Sequence, residues 1–172
     1  SCKQKEIGLI ADKAMVVSAR VEASKIGSDI MKQGGNAFDA MLATNLALTV
    51  AYPYAGNIGG GGFIIYRLNN GEIGGLDYRE KAPLASSKNM YLDSLGNVIP
   101  KLSTHGAMAV GVPGTVAGTF EAHKRFGKLP IATIIQPVIA LAKRGVIVTK
   151  KQEIRIAEKQ EDFKIANKND IL

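Results

Sequence analysis

The stretch from Ala37 to Val50 is rich in alanine and apolar on nearly every side of a helical wheel, and it limits the possible folds more than any other segment. A helix without a polar face cannot lie on a surface, so it must pack between other elements. Asn36 is placed to cap its start, Asp39 stands at the third helical position where a carboxylate favours the positive end of the dipole, and Pro53 stops it. Upstream, Ser24 to Gln33 brings Ile26, Ile30 and Met31 to one helical face, and Gly34-Gly35 supplies a left-handed cap.

The remaining segments alternate between strand and helix signals. Residues 1–14 read as a polar entry segment, and Met15 to Ala19 as a short buried strand. Phe63 to Leu68 and Ile73 to Tyr78 flank Asn69-Asn70-Gly71, a strong hairpin signal, which leaves Arg79 just past the second strand. Leu95-Gly96-Asn97 marks another turn, and Ala107 to Val112 reads as a further strand. Helices follow up to Phe126 with Gly127 closing the turn, over Pro130 to Lys143 with Gly145 as cap, and from Thr149 to Asp162 with Thr149 and Gln152 spaced as a capping box. These signals imply an α/β or α+β architecture. The last ten residues simply stop, and a truncated or cleaved chain is the expectation at this stage.

Composition excludes several function classes. With 172 residues, 46% of them hydrophobic, the chain can bury an ordinary domain's core. The formal charge of +7 is spread from Lys3 to Lys168 with no aromatic ladder, which describes a solvated basic surface and no nucleic-acid patch. His105, His123 and Cys2 are mutually isolated, so neither a metal site nor a bound cofactor is expected. No apolar run reaches membrane-spanning length. Cys2 behind the small Ser1 matches either the lipid-accepting cysteine of a bacterial lipoprotein or an ordinary cysteine behind a residue left over from expression.

Two segments invite a chemical reading. The run Gly59 to Gly62 lacks the Lys-Ser or Lys-Thr of a phosphate loop and precedes a strand, so it serves tight backbone packing or the close approach of a substrate. Asp77-Tyr78-Arg79-Glu80-Lys81 alternates charge and reads as a salt-bridged edge, with the planar fork of Arg79 as a candidate clamp for an amino-acid carboxylate. His105 follows Ser103 and Thr104 without an identifiable third group, and His123 reads as a partly exposed helix residue.

Four segments in one order carry a resemblance: Gly34-Gly35-Asn36-Ala37-Phe38-Asp39-Ala40, Gly56-Asn57-Ile58-Gly59-Gly60-Gly61-Gly62-Phe63, Asp77-Tyr78-Arg79-Glu80-Lys81-Ala82-Pro83, and Gly111-Val112-Pro113-Gly114-Thr115-Val116-Ala117-Gly118. Together with Gln136-Pro137 and Leu141-Ala142-Lys143-Arg144-Gly145, the series resembles the N-terminal part of the γ-glutamyltranspeptidase large subunit and covers most of residues 15–150.

The resemblance implies an α+β fold of the N-terminal-nucleophile hydrolase type, a layered αββα sandwich of which this chain supplies only part. It implies a precursor that cleaves itself, a partner in the small catalytic subunit, and cleavage of glutathione or other γ-glutamyl compounds with transfer to water or an acceptor. The nucleophilic threonine belongs to that small subunit, so no catalytic residue is expected here, and Arg79 is expected to bind the substrate α-carboxylate. The resemblance further implies a periplasmic or secreted protein, tethered to a membrane only if Cys2 is lipidated. Two other readings remain open at this stage: a non-catalytic binding module on the same scaffold, and a related acylase or polyglutamate-processing enzyme.

Overall fold

The computed structural model describes residues 8, 10–56 and 58–167, so Cys2 and the expectation attached to it lie outside the described residues. The chain divides into two compact units, one formed by the chain up to Ile58 with Thr115–Gly145, the other by Gly59–Gly114 with the chain from Val146 onward.

The first unit is helical: α1 (Val21–Lys32), α2 (Ala37–Ala51), α3 (Thr115–Phe126) and α4 (Ile131–Arg144). As its all-round apolar character requires, α2 contacts each of the other three. Ile30, Leu42, Ala43 and Ile134 form the buried centre, with Phe120 and Leu129 packed on it. Gly34, at φ 96°, takes the left-handed turn that lets α1 stop and α2 start three residues later, at Ala37.

The start of α2 is built as a capping box. Asn36 Oδ1 accepts the backbone N–H groups of Phe38 and Asp39 at 2.9 and 3.1 Å, and Asp39 Oδ2 accepts that of Asn36 at 2.9 Å. The same residues reach the far end of α3. Asn36 Nδ2 donates to the Phe126 carbonyl at 2.6 Å, the Phe38 and Phe126 rings stack at 4.5 Å, and the buried Asp39 carboxylate also accepts the N–H groups of Lys128 and Leu129. His123 is more than a partly exposed helix residue. Its Nε2 bonds the Leu129 carbonyl at 2.8 Å and stands 3.5 Å from Asp39 Oδ1. Gly127 does not close α3 through a left-handed turn; it is needed because a Cβ there would strike the His123 ring.

The second unit holds the hairpin of β1 (Phe63–Arg67) and β2 (Ile73–Asp77), antiparallel with Phe63 opposite Asp77 and Arg67 opposite Ile73. Gly71, at φ 90°, turns the connection, and Leu68 N–H closes it on the Glu72 carbonyl at 2.8 Å. α5 (Lys150–Ala166) starts from the Thr149–Gln152 capping box and buries no residue.

Two expected strands do not form. Met15 to Ala19 runs without a strand partner among the described residues, Met15 and Val17 pointing outward. Ala107–Ala109 is a single 3-10 turn, and only Val112 pairs, in an isolated bridge with Lys81. Alanine and methionine pack poorly on a pleated surface, Gly106 at φ 77° breaks the run before it starts, and Pro113 removes the next donor.

Candidate active-site segment

Arg79 sits where the hairpin hands the chain to a frame of backbone bonds. Beyond Asp77 the ladder continues for one more pair, Tyr78 N–H donating to the Gly62 carbonyl at 3.0 Å and Gly62 N–H to the Tyr78 carbonyl at 3.4 Å. Lys81 and Val112 then exchange two bonds, at 3.2 and 2.8 Å, and Gly114 N–H donates to the Gly60 carbonyl at 2.9 Å. The segment from Tyr78 to Lys81 is thereby pinned between the glycine run and the Val112-Pro113-Gly114 turn.

Packing, not anion binding, explains two of these glycines. A Cβ at Gly61 would lie 2.6 Å from the Glu80 nitrogen, and one at Gly114 would overlap the Tyr78 carbonyl. Burial against Gly62 pushes the Tyr78 hydroxyl above its ordinary pKa.

The Arg79 side chain is 66% exposed on this rigid base. Its backbone N–H donates to Asp77 Oδ1 at 3.0 Å, and its Nε donates to Glu80 Oε2, also at 3.0 Å. The Glu80 carboxyl is held below its ordinary pKa, first by its own backbone N–H, then by the Arg79 guanidinium and the Gly61 N–H. The salt-bridged edge expected here therefore exists, and it contains the candidate clamp. Glu80 was legible only as one charge in that alternating run; its contact with the guanidinium depends on the fold around Gly61.

The other candidates stay apart from one another. Thr104 Oγ1 and His105 Nδ1 lie 2.8 Å apart on an exposed turn, a hydroxyl–imidazole pair whose ring is hydrogen-bonded to no carboxylate among the described residues. No group of three or more His, Cys, Asp or Glu residues among the described residues is arranged to hold a metal ion, and no helix among them is long and apolar enough to cross a membrane.

Comparison with known proteins decides the family. The sequence profile of γ-glutamyltranspeptidase matches residues 23–171. The chain belongs to the γ-glutamyltranspeptidase family. It is 48% identical to the glutathione hydrolase proenzyme of Pseudomonas sp. (strain A14), over 89% of this chain and 27% of that protein. Among solved structures it matches the γ-glutamyltranspeptidase of Helicobacter pylori with a TM-score of 0.89 at 44% identity, covering 94% of this chain and 46% of the other. It also matches the Bacillus anthracis transpeptidase CapD with a TM-score of 0.70 at 28% identity, covering 88% of this chain and 46% of the other. These neighbours establish the N-terminal-nucleophile hydrolase type of fold expected from the sequence. The chain spans about a quarter of the length of the curated relatives it matches.

Proposed function

We propose that this γ-glutamyltranspeptidase-family chain is the carboxylate-gripping part of an enzyme that cleaves γ-glutamyl amides such as that of glutathione. The observation that carries the reading is the placement of Arg79, whose exposed guanidinium is mounted on a backbone-pinned segment just past a hairpin strand. A bidentate grip on the substrate α-carboxylate there fixes the rest of the glutamyl chain and aims its γ-carbonyl.

The chemistry that follows belongs to the small subunit, a partner supported by the proenzyme names of the relatives. The hydroxyl oxygen of its N-terminal threonine attacks the γ-carbonyl carbon while its α-amino group takes the hydroxyl proton. Collapse of the tetrahedral intermediate breaks the amide bond, and the leaving amine departs with that proton. Water or an acceptor amine then attacks the ester, releasing glutamate or a new γ-glutamyl compound and restoring the threonine. In this scheme the present chain orients the substrate and performs no bond-making step. Self-cleavage of the precursor, extracytoplasmic placement and lipidation of Cys2 belong to the same proposal.

The test is expression of the full-length precursor that contains this sequence. Mass measurement should find two chains, and the purified product should release the chromophore from a γ-glutamyl anilide, whereas the 172-residue chain alone should not. A processed, folded product that ignores γ-glutamyl anilides would overturn the assignment. Labelling of cells with palmitate that is lost in Cys2→Ser tests the anchor separately.

A further inference from the structure

We infer that Glu80 is a positioning residue for Arg79, holding the guanidinium by its Nε so that the two terminal nitrogens face the substrate carboxylate as an end-on fork. The inference rests on the proposed α-carboxylate grip and deepens it. An arginine side chain ordinarily keeps much of its rotamer freedom when it is two-thirds exposed, and a clamp that must be ordered at each binding event loses affinity to that ordering. Arg79 is spared part of this cost.

The anchoring group is itself anchored. Glu80 is the residue next to Arg79, and neighbours in extended backbone point to opposite faces. Their side chains nevertheless meet, with Nε and Oε2 3.0 Å apart. Glu80 takes this pose with Oε2 lodged beside Gly61, where a Cβ would lie 2.8 Å from that oxygen and 2.6 Å from the Glu80 nitrogen, so only glycine lets the two segments approach. A carboxylate oxygen packed against the Gly61 main chain on one side has little room to follow the arginine on the other; the arginine must come to it.

The choice of nitrogen matters. A guanidinium offers two bidentate edges, one made of Nε with a terminal nitrogen and one made of the two terminal nitrogens. Glu80 occupies Nε, and among the described residues the terminal nitrogens of Arg79 make no hydrogen bond. The edge left open is the end-on one. Asp77, the other carboxylate nearby, accepts the Arg79 backbone N–H and so holds the main chain of the clamp.

The test uses the mature enzyme made from the full-length precursor, as wild type, Glu80→Ala, Glu80→Gln, Arg79→Lys and the Arg79→Lys/Glu80→Ala double variant. KM and kcat are measured for a γ-glutamyl anilide, and inhibition is measured with L-glutamate and with γ-aminobutyrate, its counterpart without the α-carboxylate. Glu80→Ala should raise KM and the inhibition constant for L-glutamate about three- to tenfold and leave kcat within about twofold, with γ-aminobutyrate inhibition unchanged. Glu80→Gln, which keeps an acceptor oxygen of the same shape, should lose less. Glu80→Ala should add almost nothing to Arg79→Lys, because the Nε contact is already gone.

Equal weakening of both inhibitors, or full additivity in the double variant, would show that Glu80 only supports the fold. If Arg79→Lys preserves the preference for L-glutamate over γ-aminobutyrate, the α-carboxylate grip itself is wrong. If Arg79→Lys abolishes that preference while both Glu80 variants are silent, only the positioning role fails.

Discussion

The Asp39 carboxylate accepts the backbone N–H of Lys128 at 3.0 Å, joining two residues 89 positions apart in the chain. The same buried group also serves the N–H groups of Asn36 and Leu129. One side chain thus satisfies donors at the start of α2 and in the connection between α3 and α4.

Asp39→Ala should therefore be among the most destabilising single changes in the helical unit. It strands buried backbone donors that the surrounding core cannot hydrate, at a cost of about 3 kcal/mol or more. Asp39→Asn should recover little, since one of its two polar atoms becomes a donor facing donors. Urea unfolding of the purified chain measures both, and a loss below about 1 kcal/mol for Asp39→Ala would remove the residue from this role.

Gly114→Ala should harm activity out of proportion to stability. The added methyl group overlaps the Tyr78 carbonyl and must displace the backbone that carries Arg79. Overpacking of this kind costs about 1–3 kcal/mol, and misplacing the clamp should lower kcat/KM of the full enzyme at least about tenfold. Gly96→Ala is the control. Gly96 has φ 85° but open space around it, so that variant should lose about 1 kcal/mol and keep its activity.

Arg79→Lys in the full enzyme keeps the charge and loses the fork. The expected fall in kcat/KM for a γ-glutamyl anilide is roughly ten- to a hundredfold, with precursor processing intact. Most of the deficit should vanish for γ-aminobutyryl anilide, which gives the wild-type arginine nothing to hold. An equal deficit with both substrates would reduce Arg79 to a surface ion-pair residue.

Stability should fall in acid. Glu22 is held below its ordinary pKa by the Arg20 hydrogen bond, Asp29 by Lys25 and Lys32, and Asp93 by the backbone and side chain of Asn97. Each binds fewer protons folded than unfolded, so its contribution is fully present above the ordinary carboxylate value of about 4 and is lost as pH falls through the depressed folded value. The Lys25–Asp29 and Lys32–Asp29 pairs are exposed, so added salt should shrink their share. Urea midpoints followed from neutral to acid pH, with and without salt, check both statements; a midpoint that holds steady or rises in acid would contradict them.

What could be read from the sequence was set by local rules. The caps at Gly34, Asn36 and Thr149 and the hairpin about Gly71 depend on residues within a few positions of each other, and all four form as expected. Ala107 to Val112 misled because its apolar run carried no period to set against the bends at Gly106 and Pro113. The reach of Asp39 to Lys128 has no sequence signature, since the cap it makes with Asn36 already accounts for its presence. Arg79 as a clamp came from chemical type and from resemblance, whereas the contact with Glu80 needed the three-dimensional approach of Gly61.

The bridge between Lys81 and Val112 is written entirely in peptide groups, with both side chains largely in solvent. Carbonyls and amides are common to every residue, and proline alone lacks the donor. The charges and bulk of the surrounding side chains can therefore change without dismantling the hold on residue 79. The mount tolerates substitution at its side chains far better than the insertion of a proline at either end of the bridge.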